Sequence, residues 1–305
     1  MMMDATLAKR HAIFAGFVLA SALIFWKTWM AVIQYSLRNE SASHILIIPA
    51  VTLCLLFLER KQIFRQSFPS LGPGLAVVVG AIAIFWLATR LSDTGKGRLS
   101  LEVLALVFLW IGGFVSCYGL KVARAALFPL LFLLLMVPWP NVILDRVILW
   151  LQEGSTDITY AIFKALGVPV FRSGFVLTVP GVSIEVASEC SGIRSSMALL
   201  ITCLLAAHIY LRTRWKMILF VLLVIPLSIV KNGIRIATLT LLSVYVNPDF
   251  LRGSLHREGG FVFFFLALAM MFPVLRLLEK VEKKVPGAST DYESQTHSNT
   301  FVDGV

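Results

Sequence analysis

A short polar block stands directly before a long apolar stretch and contains a thiol in a setting that favours ionisation. It reads Glu189-Cys190-Ser191-Gly192-Ile193-Arg194. A free thiol ionises near pH 8.5, and the N–H groups at the start of a helix favour the thiolate. Arg194, one predicted turn further along, adds positive charge, and Glu189 could orient a partner group. Cys190 is therefore a candidate nucleophile, with a buried structural thiol as the alternative. Its neighbours Glu189, Ser191, Gly192 and Arg194 are candidate supporting or substrate-binding residues.

A nucleophile of this kind needs a base, and two histidines are candidates. His44 and His256 each stand just before an apolar stretch. A neutral imidazole can accept or return a proton near neutral pH. For each of them, a structural histidine at the membrane surface is the alternative reading. Cys54, Cys117 and Cys203 lie within apolar stretches and are predicted to be packing residues.

Arg235 is the third unusual side chain, because it lies between apolar residues in Lys231-Asn232-Gly233-Ile234-Arg235-Ile236. An arginine at membrane depth is costly and indicates a functional site, unless it extends to the headgroups. Arginine keeps its proton, so it cannot be the base. It could hold a thiolate, a substrate carboxylate or a developing oxyanion. Asn232 is a candidate supporting residue.

Other common chemistries lack their motifs in the sequence. It contains no His-Glu-x-x-His, no closely spaced cysteine pair, no phosphate-binding lysine loop and no dinucleotide fingerprint. We therefore expect neither a metal ion nor a cofactor.

The composition places these residues in a membrane protein. The chain has 305 residues, of which 58% are hydrophobic and 14% are charged, whereas soluble domains are about a quarter charged. The apolar residues form long blocks, which predict about eight transmembrane helices in an all-α polytopic fold. The predicted spans are 12–32, 43–58, 73–89, 100–119, 124–139, 195–211, 215–231 and 259–278. We expect one membrane domain over 1–280 and a disordered cytoplasmic tail over 281–305.

The distribution of lysine and arginine predicts the orientation. They gather in alternate loops, and placing those loops in the cytoplasm satisfies the positive-inside rule with both termini inside. This also explains the net charge of +10 without a nucleic-acid partner. Three segments then lie on the outer face: the loop around 34–43, the long stretch 138–194, and the stretch 231–258.

The outer segments contain the predicted elements that position the site. Residues 142–166 form an amphipathic helix along the membrane surface. Residues 175–179 and 182–186 are β-like runs, and Pro180-Gly181 between them predicts a small β-hairpin leading to Cys190. The apolar run 234–246 is predicted to be a separate short half-helix that lies at the outer surface or dips partway into the membrane.

Taken together, four blocks resemble the exosortase/archaeosortase family of membrane cysteine transpeptidases. These are residues 189–194, residues 232–236, His256 before the last span, and Ser43-His44-Ile45-Leu46-Ile47-Ile48-Pro49. The similarity extends from about residue 20 to 278. His256 is followed here by Arg257, an extra cation that departs from the family pattern.

The resemblance implies a catalytic Cys190, Arg235 and His256 at the periplasmic face of a bacterial inner membrane. Family members process envelope proteins that end in a sorting signal: a short motif such as Pro-Glu-Pro, a membrane helix and a basic cluster. They often accompany exopolysaccharide systems. The implied reaction passes through a thioester acyl-enzyme and then transfers the protein to an acceptor.

Two other functions fit the same residues. The chain could be a non-enzymatic membrane component of exopolysaccharide assembly or transport, since intramembrane charges also suit transporters. Against this, its charged candidates gather at one face, and inverted repeats are absent from the sequence. It could also be a hydrolase that cleaves without transfer, because both reactions share the acyl-enzyme.

Overall fold

The computed structural model describes residues 2–66, 69–90, 96–187, 191–251 and 260–283. Three predicted site residues, Glu189, Cys190 and His256, lie outside these ranges, as does the predicted tail from residue 284 onward. Contacts group the chain into two compact units, Met1–Ile148 and Leu149–Val305. The single membrane domain expected over 1–280 stays a prediction.

The first unit is built from helices. They are α1 (Met2–Ile24), α2 (Trp26–Arg38), α3 (Ile48–Leu58), α4 (Arg60–Ile63), α5 (Leu71–Arg90), α6 (Lys96–Tyr118), α7 (Leu120–Ala125), α8 (Leu127–Phe132) and the start of α9 (Asn141–Ala165). Short 3₁₀ helices cover Glu40–Ala42, Phe64–Gln66 and Leu133–Met136.

The second unit adds a small sheet to its helices. After the rest of α9 come β1 (Phe171–Ser173), β2 (Val176–Val179), β3 (Val182–Glu185), α10 (Ile193–Tyr210), α11 (Arg214–Leu222), α12 (Val224–Tyr245), a 3₁₀ turn at Pro248–Leu251, and α13 (Gly260–Lys283).

Several of these helices are suited to a membrane. Within the described chain, six segments are long and apolar enough to cross one: Thr6–Ile24, Leu71–Arg90, Gly97–Tyr118, Ile193–Tyr210, Arg214–Tyr245 and Phe261–Glu282. A seventh results if the bent pair Leu127–Met136 and Asn141–Ala165 counts as one span. The chain is thus a polytopic helical membrane protein, as predicted, but the count of eight is not confirmed.

The predicted span 43–58 accounts for part of the difference. Only its second part is helical, giving α3 with 11 residues, whereas a span needs about 20. Residues 43–47 form turns. Pro49 lies in the first turn of α3, where its missing N–H is tolerated; further inside a helix the same residue would break it.

The separate half-helix predicted for 234–246 is wrong. The helix α12 continues without interruption from Val224 to Tyr245 and includes the polar residues that suggested a break. Lys231 is 1% exposed and Asn232 is fully buried. Their polarity therefore reflects contacts with neighbouring helices, and it does not mark the end of a span.

The predicted hairpin is confirmed, and a third strand extends it to a three-stranded sheet. Strands β2 and β3 pair antiparallel, with Val179 opposite Val182, and Gly181 in the connecting turn has φ +89°. Strand β1 pairs with the other edge of β2; its three residues are too few to show an alternating pattern. The buried face of the sheet packs on helices α9 and α12 through Leu177, Ile184, Phe163 and Ala237.

The helices of the second unit share an apolar core. Leu199 and Cys203 of α10 pack with Phe220 of α11 and with Ala267 and Met271 of α13. Cys203 is therefore a packing residue, as predicted. The start of α10 lies outside this core and makes polar contacts.

In the first unit, α5 and α6 approach each other backbone to backbone. A Cβ added to Gly74 would lie 2.5 Å from the Ser116 nitrogen and 2.8 Å from the Gly112 oxygen. Small residues permit such close approach between membrane helices, where packing is a main source of association. By contrast, a Cβ added to Gly80 on the same helix would meet nothing within 4 Å.

We expect Gly74→Ala to destabilise the detergent-solubilised protein, because backbone atoms cannot move aside without separating the helices. Overpacking of this kind costs about 1–3 kcal/mol. Thermal unfolding followed by size-exclusion chromatography measures the loss. Gly80→Ala is the matched control and should unfold at the wild-type temperature or above; equal losses in both variants would contradict the proposed contact.

Candidate active site at the start of α10

The predicted nucleophile precedes a sharply defined helix start. Gly192 caps α10 with a left-handed backbone, φ +73° and ψ 17°. Its carbonyl oxygen accepts hydrogen bonds from the hydroxyls of Ser195 (3.0 Å) and Ser196 (2.9 Å). These contacts hold the first turn of the helix immediately after Glu189 and Cys190, which lie outside the described residues.

Gly192 lies directly against Asn232 of α12. A Cβ on Gly192 would be 2.7 Å from Asn232 Oδ1 and 3.0 Å from its Cγ. Asn232 is fully buried, and its amide nitrogen donates a hydrogen bond to Ser155 Oγ of α9 at 3.0 Å. The structure therefore brings together two of the predicted supporting residues, which are 40 positions apart in sequence.

Helices α9 and α12 also meet closely one residue further on. A Cβ on Gly233 would lie 2.5 Å from Ile158 Cγ2. Thr159 Oγ1 donates to the Ser155 carbonyl (2.7 Å) and to the Gly233 carbonyl (3.2 Å). Ser155 and Thr159 are both fully buried. The amphipathic pattern of 142–166 predicted the helix, but not that its polar residues would bind α12.

Lys231 is the main residue that sequence reasoning missed. Its ammonium group donates to Ser195 Oγ at 2.5 Å, although the residue is almost completely buried. The signal was present, because a lysine surrounded by apolar sequence is as unusual at membrane depth as Arg235. The sequence pattern places residue 231 at the polar end of an outer segment, where a lysine needs no buried partner.

The remaining predicted residues of this region lie on the same two helices. Arg235 is half-buried, one turn after Lys231 on α12, and Arg194 is exposed in the first turn of α10. Ser191 is fully buried, and its hydroxyl has no hydrogen-bond partner among the residues that the structure describes. A helix N-terminus with nearby cations favours a negatively charged group.

His44 belongs to the first unit, in the turns that precede α3. Burial lowers the pKa of His44, and this effect outweighs its hydrogen bonds with the backbone of Leu135 and Ser41, which raise it. The imidazole is therefore neutral at pH 7. Its predicted counterpart His256 lies outside the described ranges.

Among the described residues, no group of three histidine, cysteine, aspartate or glutamate side chains is placed to hold a metal ion. The polar groups around the start of α10 are hydroxyls, an amide and cations. Such groups can orient a carbonyl substrate and stabilise an anion.

These features define a class: a polytopic helical membrane protein with a polar, cation-containing site at the start of one helix. Residues 29–273 match the family model for the transmembrane exosortases. Because the match covers most of the chain, the protein belongs to the transmembrane exosortase family. Neither a curated protein nor a solved structure matches the chain.

The contact between Gly192 and Asn232 can be tested by substitution. Gly167 has the same φ of +73°, but a Cβ there would meet nothing within 4 Å. Gly167→Ala should therefore cost only the left-handed backbone strain, about 1–2 kcal/mol. Gly192→Ala should cost more, because it also displaces the buried Asn232 side chain. Thermal unfolding of both variants in detergent gives the comparison, and equal losses would show that Asn232 moves aside freely.

Proposed function

We propose that this exosortase is a membrane-embedded cysteine transpeptidase that cleaves the C-terminal sorting signals of envelope proteins. The observation that carries the proposal is the meeting of two blocks that resemble the family: Gly192 of residues 189–194 lies against Asn232 of residues 232–236. The adjacent residues Ser195 and Lys231 are also hydrogen-bonded to each other. Cys190 belongs to the first block, and Arg235 belongs to the second. This arrangement supports one polar site that serves both residues.

In the proposed reaction, the Cys190 thiolate attacks the scissile carbonyl carbon. The C–N bond then breaks, leaving a thioester on the enzyme and an amine that takes a proton from His256. His256 next removes a proton from the incoming nucleophile, which attacks the thioester and releases Cys190. An amine acceptor gives transfer, and water gives hydrolysis.

Arg235 is proposed to stabilise negative charge in this sequence. Its guanidinium remains protonated at every step, so it cannot exchange protons with the substrate. Placed at the oxyanion of the tetrahedral intermediate, a donor of this kind contributes roughly 10²–10³-fold. Arg235 lies on α12, one turn beyond the residues that bind the start of α10. That helix position is fixed by the Asn232 and Gly233 contacts described above.

We further propose that the site faces the periplasm of a bacterial inner membrane, with both termini in the cytoplasm. The substrate carries a short motif such as Pro-Glu-Pro, a membrane helix and a basic cluster. Its helix would reach the enzyme laterally within the bilayer, which explains why the enzyme is itself embedded. The alternative is a non-enzymatic role in exopolysaccharide assembly or transport.

The primary test follows a tagged substrate with a Pro-Glu-Pro-type tail in a knockout strain complemented with each variant. We expect Cys190→Ala to abolish processing, Cys190→Ser to retain little, and Arg235→Ala to lower the rate at least about 100-fold. Gel mobility and release from the membrane report cleavage. The mass of the new C-terminus distinguishes transfer from hydrolysis.

Two matched variants serve as controls for this test. Cys203→Ala removes a thiol from the helix core, and Arg276→Ala removes an exposed arginine that pairs with Glu279 at 3.1 Å. Both should process the substrate at a normal rate. If Cys190→Ala processed it normally, the enzyme proposal would be wrong and exopolysaccharide assembly would become the leading interpretation.

The two histidines give a separate prediction. His256→Ala should lower processing by roughly 10²–10⁴-fold, as expected when a general acid and base is lost. His44→Ala should retain most of the activity, because its half-buried imidazole is bound by backbone groups within the first unit. The same tagged substrate measures both rates. If His44→Ala lost most of the processing rate and His256→Ala processed normally, His44 and not His256 would be the general acid and base.

A further inference from the structure

The first unit contains a cavity of about 600 Å³ at the point where α1 ends and α2 begins, beside the end of α5 and the beginning of α6. Sites for small ligands commonly have volumes of about 300–1,000 Å³. Three side chains that line the cavity are charged at neutral pH: Lys27, Arg98 and Glu102. The other lining side chains are mostly apolar and include Ile24, Phe25, Trp26 and Phe85. A ligand that matches this lining combines a charged group with an apolar part.

Glu102 organises the polar wall of the cavity. Its Oε1 accepts a hydrogen bond from Arg98 Nε at 2.8 Å, and its Oε2 accepts one from the Thr28 hydroxyl at 2.9 Å. Glu102 and Thr28 are both buried, whereas 37% of the Arg98 side chain is exposed. The carboxylate therefore connects α2 to α6 and holds the guanidinium group at the wall of the cavity.

Lys27 is the charged side chain that is available to a ligand. It is exposed, and within the described chain it forms neither a hydrogen bond nor an ion pair. The two cations and one carboxylate that line the cavity give it a net charge of +1. Lysine and arginine are the side chains that bind phosphate most often. The charged part of the ligand is therefore expected to be an anion such as a phosphate.

The surroundings of the cavity favour a lipid over a soluble anion. Helix α6 has no charged residue from Val103 to Val115, and α5 has none from Leu71 to Thr89. The cavity thus lies where apolar helices become polar. Trp26 and Trp86 are 56% and 58% exposed, and the Arg90 guanidinium carbon lies 4.6 Å from the centroid of the Trp86 ring. Exposed tryptophans with basic residues at helix ends are typical of the lipid headgroup level.

We propose that this cavity binds the phosphate headgroup of an anionic phospholipid. Lys27 and Arg98 contact the phosphate, and an acyl chain lies along the exposed apolar side chain of Ile24. Phe25 and Phe85, whose rings meet edge to face with centroids 4.8 Å apart, line the apolar part of the site. This inference is independent of the proposed reaction. A ligand that binds only the folded protein stabilises it, so the bound lipid strengthens the association of α1 and α2 with α5 and α6.

The test titrates dioleoylphosphatidylglycerol into the purified full-length protein in detergent and follows the adduct with one lipid by native mass spectrometry. The wild type should bind this lipid at least about fivefold more tightly than the zwitterionic dioleoylphosphatidylcholine. Lys27→Gln should weaken binding of phosphatidylglycerol about fivefold, the contribution expected of one cation near an anionic lipid. Wild-type affinity in Lys27→Gln, or equal affinity of the wild type for the two lipids, overturns the proposal.

Two further variants separate a specific site from general charge attraction. Lys61→Gln removes an exposed lysine of α4 that does not line the cavity, and it changes the net charge by the same amount. It should bind phosphatidylglycerol as the wild type does; a loss equal to that of Lys27→Gln would show that the attraction is not specific. Ala31→Trp fills part of the cavity and leaves every charge in place. If the adduct persisted unchanged in Ala31→Trp, the lipid would lie elsewhere and the proposal would be wrong.

Two soluble probes distinguish the lipid from other anions. Glycerol 3-phosphate carries the phosphate without acyl chains and should bind at least about tenfold more weakly than phosphatidylglycerol, because it buries no hydrocarbon. Equal affinities would assign the cavity to a soluble phosphate. A five-residue peptide with one central glutamate represents an acidic peptide ligand. If this peptide bound in a manner that required Lys27 while phosphatidylglycerol did not, the cavity would be a peptide site and the proposal would fail.

Discussion

The second unit depends on the close approach of three helices at one point. Gly192 at the start of α10 and Gly233 on α12 have no side chains, so Asn232 fits against the cap of α10 while α12 packs against α9. In a membrane, a buried amide must find a partner within the protein, because water and lipid supply none. Ser155 supplies it. These contacts establish the relative positions of α9, α10 and α12, and through α12 they establish the position of Arg235.

The same geometry explains why polar residues persist in apolar helices. Hydroxyls of α9 and α10 bind α12, and Lys231 binds Ser195. Each of these hydrogen-bonding groups would be expensive if it faced lipid, and here each takes part in a hydrogen bond within the protein. The result is a rigid polar region inside an apolar unit. Under the acyl-transfer function proposed above, such a region would pre-orient the groups that stabilise charge, so little reorganisation would be needed as the reaction proceeds.

The small sheet contributes in a different way. Its apolar face covers α9 and α12, and β3 leads the chain toward the start of α10. Gln152 of α9 also donates a hydrogen bond to the Val186 carbonyl just after β3. The sheet therefore holds the chain up to Val186 against α9, and the described chain resumes at Ser191, directly before Gly192.

The sequence by itself determined the membrane class, most of the long helices, the hairpin at Pro180-Gly181 and the family. The first three follow from local patterns: uninterrupted apolar runs, β-like runs and turn residues. The family follows from the resemblance of four sequence blocks. It also identified Gly192 and Asn232 as site residues, although not their contact. Only the tertiary structure decided that α12 is continuous, that α3 is too short to span, and that Lys231 lies buried against Ser195. The local sequence around a polar residue in an apolar run does not distinguish a helix end from a helix interior. Contacts with neighbouring helices determine which of the two positions has the lower free energy.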